Sequence, residues 1–393
     1  PDRKWVWAMK KNRFAQAVVA FLPSFFAILA GFLLGFVILL AVNPNQAIQG
    51  IGIILKGGLN KGMSGMGQVL YFATPIIMTG LAVGFAFKTG LFNIGASGQF
   101  TMGAFAAIYV GVVMKSLPPA IHWLVAILAS MIAGAIWGFL PGLLKATRNV
   151  NEVITSIMMN YIGMSAVNMM VRATIYNKLK NESLPVASAA NIPKWGLQEI
   201  FPYPSMNGGI LIAVLCVMIV YIVLEKTTFG YELKACGYNR DAGLYAGIQA
   251  KRNMIYSMMI SGALAGIGGG LLYLSGSGKY MKVIDVIATE GFDGISVALL
   301  GLSHPIGVLF AGVFIAYIKV GGFNLQLLNY DQEVINIITA AIIYFSAFAL
   351  MFKTKIQSII TRNAIQKNEA SDQKLEEATM ESEERPMKEG DSQ

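Results

Sequence analysis

Residues 227–252, TTFGYELKACGYNRDAGLYAGIQAKR, form a polar and basic interruption between two long apolar runs, and the rest of the chain is organised around them. The flanking runs, residues 208–224 and 253–274, each have the length and composition of a membrane-spanning helix. A connection between two spans needs only a few turn residues. A longer, partly apolar connection with one or two predicted short helices is therefore expected to bind a partner.

The composition of the chain is that of an integral membrane protein. Hydrophobic residues make up 55% of the 393 residues and charged residues only 13%, about half of the charged fraction usual in soluble domains. The mean hydropathy is +0.59. The net charge of +9 is explained by the accumulation of Lys and Arg at the cytoplasmic ends of spans, so we expect no nucleic-acid partner.

The apolar runs predict ten membrane spans with both termini in the cytoplasm. Five basic residues among residues 1–13 place the N-terminus inside, and lysines after the last apolar run place its end on the same side. The eighth span is the weakest, because it is short and carries two acidic residues. The predicted spans are residues 15–42, 68–87, 95–114, 119–144, 153–170, 208–224, 253–274, 284–302, 305–320 and 334–352.

The sequence also predicts how the chain divides into segments. Residues 1–14 are a predicted cytoplasmic N-terminus and residues 15–352 a transmembrane domain. Within that domain, residues 172–207 are a predicted external loop and residues 227–252 a cytoplasmic one. Residues 353–393 are predicted to be a cytoplasmic, acidic and disordered tail, because the last 25 residues hold nine acidic residues against three basic ones.

Two glycine-containing stretches interrupt the apolar pattern at corresponding places in two halves of the chain. They are residues 88–99, KTGLFNIGASGQ, and residues 289–301, TEGFDGISVALLG. Each follows the second span of its half, and the halves are offset by five crossings, so they would be inverted. Paired, interrupted spans are typical of transport sites. A third glycine-rich run, residues 261–270, predicts close helix packing.

Polar residues inside predicted spans are costly and are therefore candidates for a solute path or gate. The amides near the first interruption and in the fifth span suit a neutral, polar solute. The alternative is that they bond helices together or cap helix ends. The candidate path residues are Asn93, Gln99, Asn151 and Asn160.

No stretch of the sequence predicts an enzyme, a cofactor or a nucleotide site on this chain. Residues 276–279 resemble the end of a phosphate-binding loop, but Tyr280 replaces the required Ser or Thr and Tyr273 replaces the first Gly. With two cysteines and two histidines, no metal site of usual spacing is predicted. If the chain belongs to a pump, the ATPase is a separate polypeptide.

Three stretches resemble permeases of ABC importers of the ribose/branched-chain amino acid type, especially the branch for nucleosides and simple sugars. Residues 87–99, FKTGLFNIGASGQ, are similar to the FxxxxGLFNIGxxGQ signature of that branch. Residues 149–161, NVNEVITSIMMNY, are similar to its N-x-NEVI…MxNY stretch. Residues 230–248 look like the cytoplasmic coupling segment of the wider superfamily. The resemblance runs from about residue 68 to residue 352.

The resemblance implies an all-α polytopic protein of the bacterial plasma membrane that works by alternating access. It implies a second permease, more often a related chain than a copy, and an extracellular substrate-binding lipoprotein. It also implies ATP-binding subunits that dock on the coupling segments and carry the ATP. The predicted docking residues are Tyr231, Glu232, Gly237, Asn239, Arg240, Tyr245 and Gly247.

The predicted function is the permease subunit of an ATP-driven nucleoside importer. A simple-sugar permease is the alternative, because both solutes are neutral and rich in hydrogen-bonding groups. Branched-chain amino acids would need groups for a carboxylate and an ammonium, and none stands out. A further alternative is an ion-coupled secondary transporter with Glu290 and Asp293 at its ion site.

Overall fold

The computed structural model describes residues 13–276, 278–328 and 330–347. The chain divides into two compact units, residues 1–29 with 348–393, and residues 30–347. In the first unit the described residues, 13–29, are helical. The predicted acidic tail and most of the predicted cytoplasmic N-terminus lie outside the described residues. The statements below concern the second unit.

The described residues are mostly helical, as the sequence predicts. A short antiparallel ribbon pairs β1 (Tyr176–Asn177) with β2 (Glu182–Ser183), and 3-10 turns cover Gly57–Lys61, Ser188–Ala190 and Gln326–Leu328. The helices are α1 Arg13–Val42, α2 Ala47–Lys56, α3 Gly62–Lys88, α4 Ala96–Val113, α5 Pro119–Arg148, α6 Glu152–Thr174, α7 Leu197–Ile200, α8 Gly209–Lys226, α9 Thr228–Tyr238, α10 Arg240–Tyr245, α11 Ala250–Tyr273, α12 Glu290–Leu300, α13 Pro305–Leu325 and α14 Gln332–Ala347.

Within the described residues, seven helical segments are long and apolar enough to cross a membrane, and Leu29–Val42 of α1 is a shorter apolar helix. The fold is therefore that of an all-α polytopic membrane protein, which agrees with the predicted class. The seven segments are Ala47–Lys88, Ala96–Val113, Pro119–Arg148, Glu152–Thr174, Gly209–Lys226, Ala250–Tyr273 and Pro305–Leu328.

The predicted eighth span, residues 284–302, is not one continuous helix. Residues 284–289 are non-helical, and α12 has 11 residues. At 1.5 Å per residue α12 is about 16 Å long, roughly half of the hydrocarbon thickness of a bilayer. The stretch therefore consists of six non-helical residues, 284–289, followed by a helix of about half the length of a span. The predicted tenth span, residues 334–352, extends past the described residues, and α14 covers it as far as Ala347.

The core of the unit is built from α3, α4 and α11. In the most apolar stretch of these helices, 89%, 67% and 72% of the residues are buried, against 22% in α5 and 28% in α6. The central helix α11 packs against α3, α4 and α5. The outer faces of α5 and α6 carry large exposed apolar side chains. These faces have the character of a lipid-facing or subunit-facing surface.

Glycine residues allow α11 to lie in backbone contact with its neighbours. A Cβ atom at Gly134 of α5 would lie 2.2 Å from the carbonyl oxygen of Gly262. A Cβ atom at Gly103 of α4 would lie 2.3 Å from the Cα of Gly266. Any side chain at these positions would separate the helices, so the close packing predicted from residues 261–270 is confirmed.

The long loop between α6 and α8 is ordered and covers the segment that precedes α12. The backbone N–H of Ser183 donates to Met281 O at 2.8 Å, and that of Val283 donates to Asn181 O at 3.0 Å. Further along the loop, Ile192 N–H donates to Leu274 O at 2.9 Å. These bonds fix the non-helical segment between α11 and α12 as one wall of the site described next.

Candidate functional site

The chain between α3 and α4 makes a non-helical break, residues 89–95, which ends in a buried polar cluster. Gly90 has a φ of +73°, a conformation that favours glycine where the chain reverses. Asn93 Nδ2 donates to Gln99 Oε1 at 2.8 Å and to Ser261 Oγ at 2.7 Å. Gln99 Nε2 donates back to Asn93 Oδ1 at 3.2 Å. The break is thus bonded to α4 and to α11.

Helix α6 joins the same cluster through Asn160. Its Nδ2 donates to Ile94 O at 3.0 Å, and its Oδ1 accepts from Gly98 N–H at 2.8 Å. We name Asn93, Gln99, Asn160 and Ser261 the amide cluster. The structure therefore brings three of the four predicted path residues together, all buried and bonded to protein groups. These contacts fit the helix-bonding alternative, and the role of the three in a solute path stays a prediction.

The fourth predicted path residue, Asn151, lies apart from the amide cluster and caps α6. Its Oδ1 accepts from Val153 N–H at 2.9 Å, the usual bond of an N-cap residue. Asn149 has a φ of +52° and ends α5 in the left-handed region. An ion pair of 2.9 Å joins Lys145 to Glu152 across the turn. The N-x-N-E stretch thus builds the α5–α6 turn.

The 227–252 segment folds into two short helices, α9 and α10, as predicted. Each starts at a side chain that caps it. Thr227 Oγ1 accepts from Gly230 N–H at 3.1 Å, and Asn239 Oδ1 accepts from the N–H groups of Asp241 and Ala242 at 3.0 Å each. Asn239, a predicted docking residue, therefore has a structural role as an N-cap.

Helices α9 and α10 expose several aromatic and apolar side chains, which together we name the aromatic face. Tyr231 is 71% exposed and Tyr245 95% exposed, as docking residues would be. Tyr238, which is 91% exposed, and Leu244, which is 51% exposed, extend this face. Tyr238 was not among the predicted docking residues, although Tyr231, Tyr238 and Tyr245 recur every seven residues. Exposed aromatic side chains on a polar segment are typical of a protein interface.

The other side of α9 packs on the helical bundle. Leu233 and Cys236 are buried there, and burial raises the pKa of the Cys236 thiol above its ordinary value. A Cβ atom at Gly237 would lie 2.5 Å from Lys88 O. Glu232 Oε2 accepts from Asn253 Nδ2 at 3.1 Å. Glu232 and Gly237 therefore face the bundle rather than solvent.

The last two predicted docking residues lie in and after α10. Arg240 is the first residue of α10 and is half-buried. Gly247 has a φ of +80°. The space beside it is open, because a Cβ atom at this position would have no neighbouring atom within 4 Å. A glycine is needed there for the turn into α11, not for close packing.

A cavity of about 570 Å³ lies between α4, α6 and the segment before α12. Its volume is in the range of small-molecule sites. Its lining starts next to the amide cluster, at Phe100, which directly follows Gln99 in α4, and at Met164, one helical turn past Asn160 in α6. Aromatic, hydroxyl, amide and charged groups share the wall. They include Phe100, Thr101, Asn168, Glu182, Tyr273, Lys279, Thr289 and Glu290.

A smaller cavity of about 220 Å³, lined by residues of α3, α12, α13 and α14, shares Lys279, Thr289 and Glu290 with the first. Its carboxylates are paired: Glu290 with Lys279 at 3.8 Å, and Asp293 with Lys319. Because each predicted ion-site carboxylate has a lysine partner, the local charge is balanced. Among the described residues, no group of three or more His, Cys, Asp or Glu side chains is placed to hold a metal ion.

Comparisons with known proteins extend these observations. Residues 65–348 match the family model described as "Branched-chain amino acid transport system / permease component". The guanosine ABC transporter permease protein NupP of Bacillus subtilis (strain 168) is 36% identical over 329 residues, which cover 83% of this chain and 93% of NupP. The nucleoside ABC transporter permease protein NupB of Lactococcus lactis subsp. cremoris (strain MG1363) is 35% identical over 361 residues, 90% of this chain and 96% of NupB.

Other relatives include further permeases. The glucose ABC transporter permease protein TsgB13 of Haloferax volcanii is 31% identical over 350 residues, 87% of this chain and 91% of TsgB13. The organisms of NupP and NupB each hold a second similar permease protein, NupQ and NupC, both 25% identical to this chain. No solved structure matches the chain. The chain therefore belongs to the family of ABC-transporter permeases described as the permease component of the branched-chain amino acid transport system.

Proposed function

We propose that this chain is the permease subunit of an ATP-driven importer of nucleosides. The observation that carries the proposal is the 570 Å³ cavity, whose wall combines aromatic rings with neutral hydrogen-bonding groups and balanced charges. The likeness to NupP and NupB over more than four-fifths of the chain supports this solute class.

The chemistry of the cavity suits a nucleoside. A nucleoside is neutral and combines a flat base with sugar hydroxyls. Tyr273 and Tyr280, which are both half-buried, offer aromatic surface to the base, and Thr101, Asn168 and Thr289 offer hydrogen bonds. The Glu290–Lys279 pair, at 3.8 Å, balances one charge of each sign, and Glu182 and Lys282 add one further charge of each sign to the wall.

The amide cluster is the proposed inner gate of this path. It lies next to the cavity, on the side of α4 and α6 that the predicted topology places toward the cytoplasm. Its hydrogen bonds would close the passage in this state, and alternating access would require Asn93, Gln99 and Asn160 to exchange partners. Asn151, at the start of α6, would lie at the exit.

The proposed assembly follows the family pattern. The exposed face of α9 and α10, with Tyr231, Arg240 and Tyr245, would dock on an ATP-binding subunit that carries the ATP, while Glu232, Gly237, Asn239 and Gly247 shape that face. The pairs NupP with NupQ and NupB with NupC support a second, related permease chain. An extracellular binding lipoprotein would deliver the solute. Ten crossings in two inverted halves, with both termini cytoplasmic, complete the proposed topology.

A simple-sugar permease is the second candidate. TsgB13 is named as a glucose permease and aligns with 87% of this chain. The paired carboxylates and lysines of the two cavities could also hydrogen-bond a polyol. An ion-coupled transporter has less support, because Glu290 and Asp293 are each held by a lysine.

The test is uptake of radiolabelled guanosine, adenosine, uridine and ribose by cells with and without this chain. The proton gradient is collapsed while ATP is preserved. Chain-dependent uptake of a nucleoside that survives the collapse is the expected result. Uptake of ribose alone would favour the sugar permease. Uptake that disappears with the gradient would contradict ATP-driven transport.

A further inference from the structure

We infer that three side chains on one face of α11, Asn253, Ser257 and Ser261, connect the 227–252 segment to the break before α4 and transmit its movement to the amide cluster. We name these three residues the α11 ladder. The inference rests on the proposed function, in which a nucleotide bound to a partner subunit moves the 227–252 segment.

The spacing of the α11 ladder follows from helix geometry. Residues four apart lie on the same face of a helix, about 6 Å apart along its axis. All three side chains are fully buried, with 0% exposure. Most of the other buried residues of α11 are glycine, alanine, leucine or methionine. Three aligned polar groups on such a helix require partners of matching polarity.

The first rung holds the 227–252 segment. Asn253 Nδ2 donates to Glu232 Oε2 of α9 at 3.1 Å. A bond to a charged group is among the stronger hydrogen bonds in proteins. One helical turn further, the second rung is a hydrogen bond between the hydroxyls of Ser257 and Thr89. Thr89 is the first residue of the break, so these two rungs bind α9 and the break to neighbouring turns of α11.

The third rung ends in the amide cluster. Ser261 Oγ donates to Ala82 O of α3 at 2.6 Å and accepts from Asn93 Nδ2 at 2.7 Å. Asn93 in turn bonds to Gln99 of α4. The hydroxyl of Ser261 therefore joins three elements at one point. Its bond from Asn93 would have to change if the break moved relative to α11, whereas its bond to Ala82 of α3 could remain.

A direct backbone contact completes the connection. Gly237 of α9 touches the start of the break, since its Cβ would lie 2.5 Å from Lys88 O. A displacement of α9 therefore acts on the junction between α3 and the break, at residues 88–90. The α11 ladder meanwhile holds residues 89 and 93. The helix α11 itself is fixed to α5 by glycine contacts. The break is the part that can shift between these two supports.

The test compares Ser261→Ala with a matched control, Ser130→Ala. Ser130 is also fully buried, but its Oγ donates to Ile127 O of its own helix at 2.7 Å. Ser261→Thr keeps the hydroxyl and should restore the wild-type response. Hydrogen exchange is measured in the complete transporter with and without a non-hydrolysable ATP analogue, for residues 87–99 and residues 227–252.

In the wild-type transporter we expect the analogue to change exchange in both segments. In Ser261→Ala, residues 227–252 should still respond, while the response of residues 87–99 falls roughly 2- to 10-fold, the factor that corresponds to one lost hydrogen bond. Ser130→Ala and Ser261→Thr should respond as the wild type does. A merely structural role would lower both responses in parallel. If the Ser261→Ala transporter does not assemble, Ser257→Ala is used instead. It removes the hydrogen bond to Thr89, and it should likewise lower the exchange response of residues 87–99.

Three results would overturn the inference. They are an unchanged response of residues 87–99 in both Ser261→Ala and Ser257→Ala, an equal loss in Ser130→Ala, and a wild-type protein in which residues 87–99 do not respond at all. The readout needs only the ATP analogue and no solute. Failure of nucleoside uptake would therefore overturn the proposed solute while the exchange result still decides the role of the α11 ladder.

Discussion

The breaks before α4 and before α12, each taken together with the first turn of the helix that follows it, occupy matching positions in the sequence but differ in chemistry. The first break contains neutral amides and hydroxyls that bond to one another at 2.7–3.2 Å. The second carries two carboxylates, each paired with a lysine, and it lines both cavities. The two breaks also meet, because a Cβ at Gly291 would lie 2.3 Å from Ser97 N.

This difference suggests a division of roles. A neutral hydrogen bond contributes about 1 kcal/mol net and can exchange partners. Separating a buried ion pair costs more, because each charge is left unpaired. The first break is therefore suited to a part that changes state, and the second to a fixed wall. Four substitutions test this comparison.

The largest expected effect is on the ion pair of the second break. Lys319→Met would leave Asp293 without its partner and should destabilise the protein by about 3–5 kcal/mol. The measurement is the unfolding midpoint in detergent. The double variant Asp293→Asn/Lys319→Met should recover most of the loss. Equal losses in the single and double variants would show that the pair does not act as a fixed wall.

The contact between the two breaks should show the next largest effect. Gly291→Ala places a Cβ 2.3 Å from Ser97 N, and the resulting overpacking should cost up to about 3 kcal/mol. Gly52→Ala in α2 is the control, because a Cβ there meets no atom within 4 Å, and it should be neutral or stabilising. Identical unfolding midpoints for the two variants would mean that α4 and α12 do not meet in this way.

The neutral break is tested by Asn93→Leu. The change removes the side-chain partner of Gln99 and one of the two hydrogen bonds of Ser261, and it should cost about 1–3 kcal/mol. The control is Asn324→Leu, since Asn324 Nδ2 bonds only within its helix, to Val320 O at 3.2 Å. Uptake and thermal unfolding are measured together. If Asn93→Leu lowers stability no more than its control does, the amide cluster does not join the helices.

The smallest expected change in stability is at the rim of the larger cavity. Glu290→Gln removes one charge of a partly exposed pair and should change stability by about 0.2–1 kcal/mol. Its effect on uptake should be larger, because the unpaired Lys279 adds a positive charge to a wall proposed to take a neutral solute. A fall in apparent affinity without a fall in maximal uptake is expected. Unchanged uptake kinetics would remove Glu290 from the solute path.

The fold class and the family could be predicted from sequence, whereas the cavity could not. Apolar runs and positive charges suffice for helices in a membrane, and residues 87–99 carry a distinctive signature. The cavity wall combines residues as distant as Thr101, Asn168 and Glu290, which the ordered loop between α6 and α8 brings together. The short length of α12 was also missed, because the apolar residues before it extend the pattern without extending the helix.

The 227–252 segment also shows what sequence alone can and cannot predict. The two short helices follow from the capping residues Thr227 and Asn239, which the sequence displays. Which side faces outward depends on Gly237 lying against Lys88, a contact between distant parts of the chain. The sequence therefore predicts the segment and most of its exposed tyrosines, but not that Glu232 faces inward.

The hydrogen bonds of the first break also have a consequence for biogenesis. Ser257 and Ser261 follow their partners Thr89 and Asn93 by 168 residues each. At about 5–20 residues per second, roughly 10–30 s of translation separate the two. During that interval α3 and α4 are in the bilayer while their polar side chains lack their final partners. Insertion of α11 is therefore the step that supplies these partners, and in a chain stalled before it Thr89 and Asn93 would lack their bonds to Ser257 and Ser261.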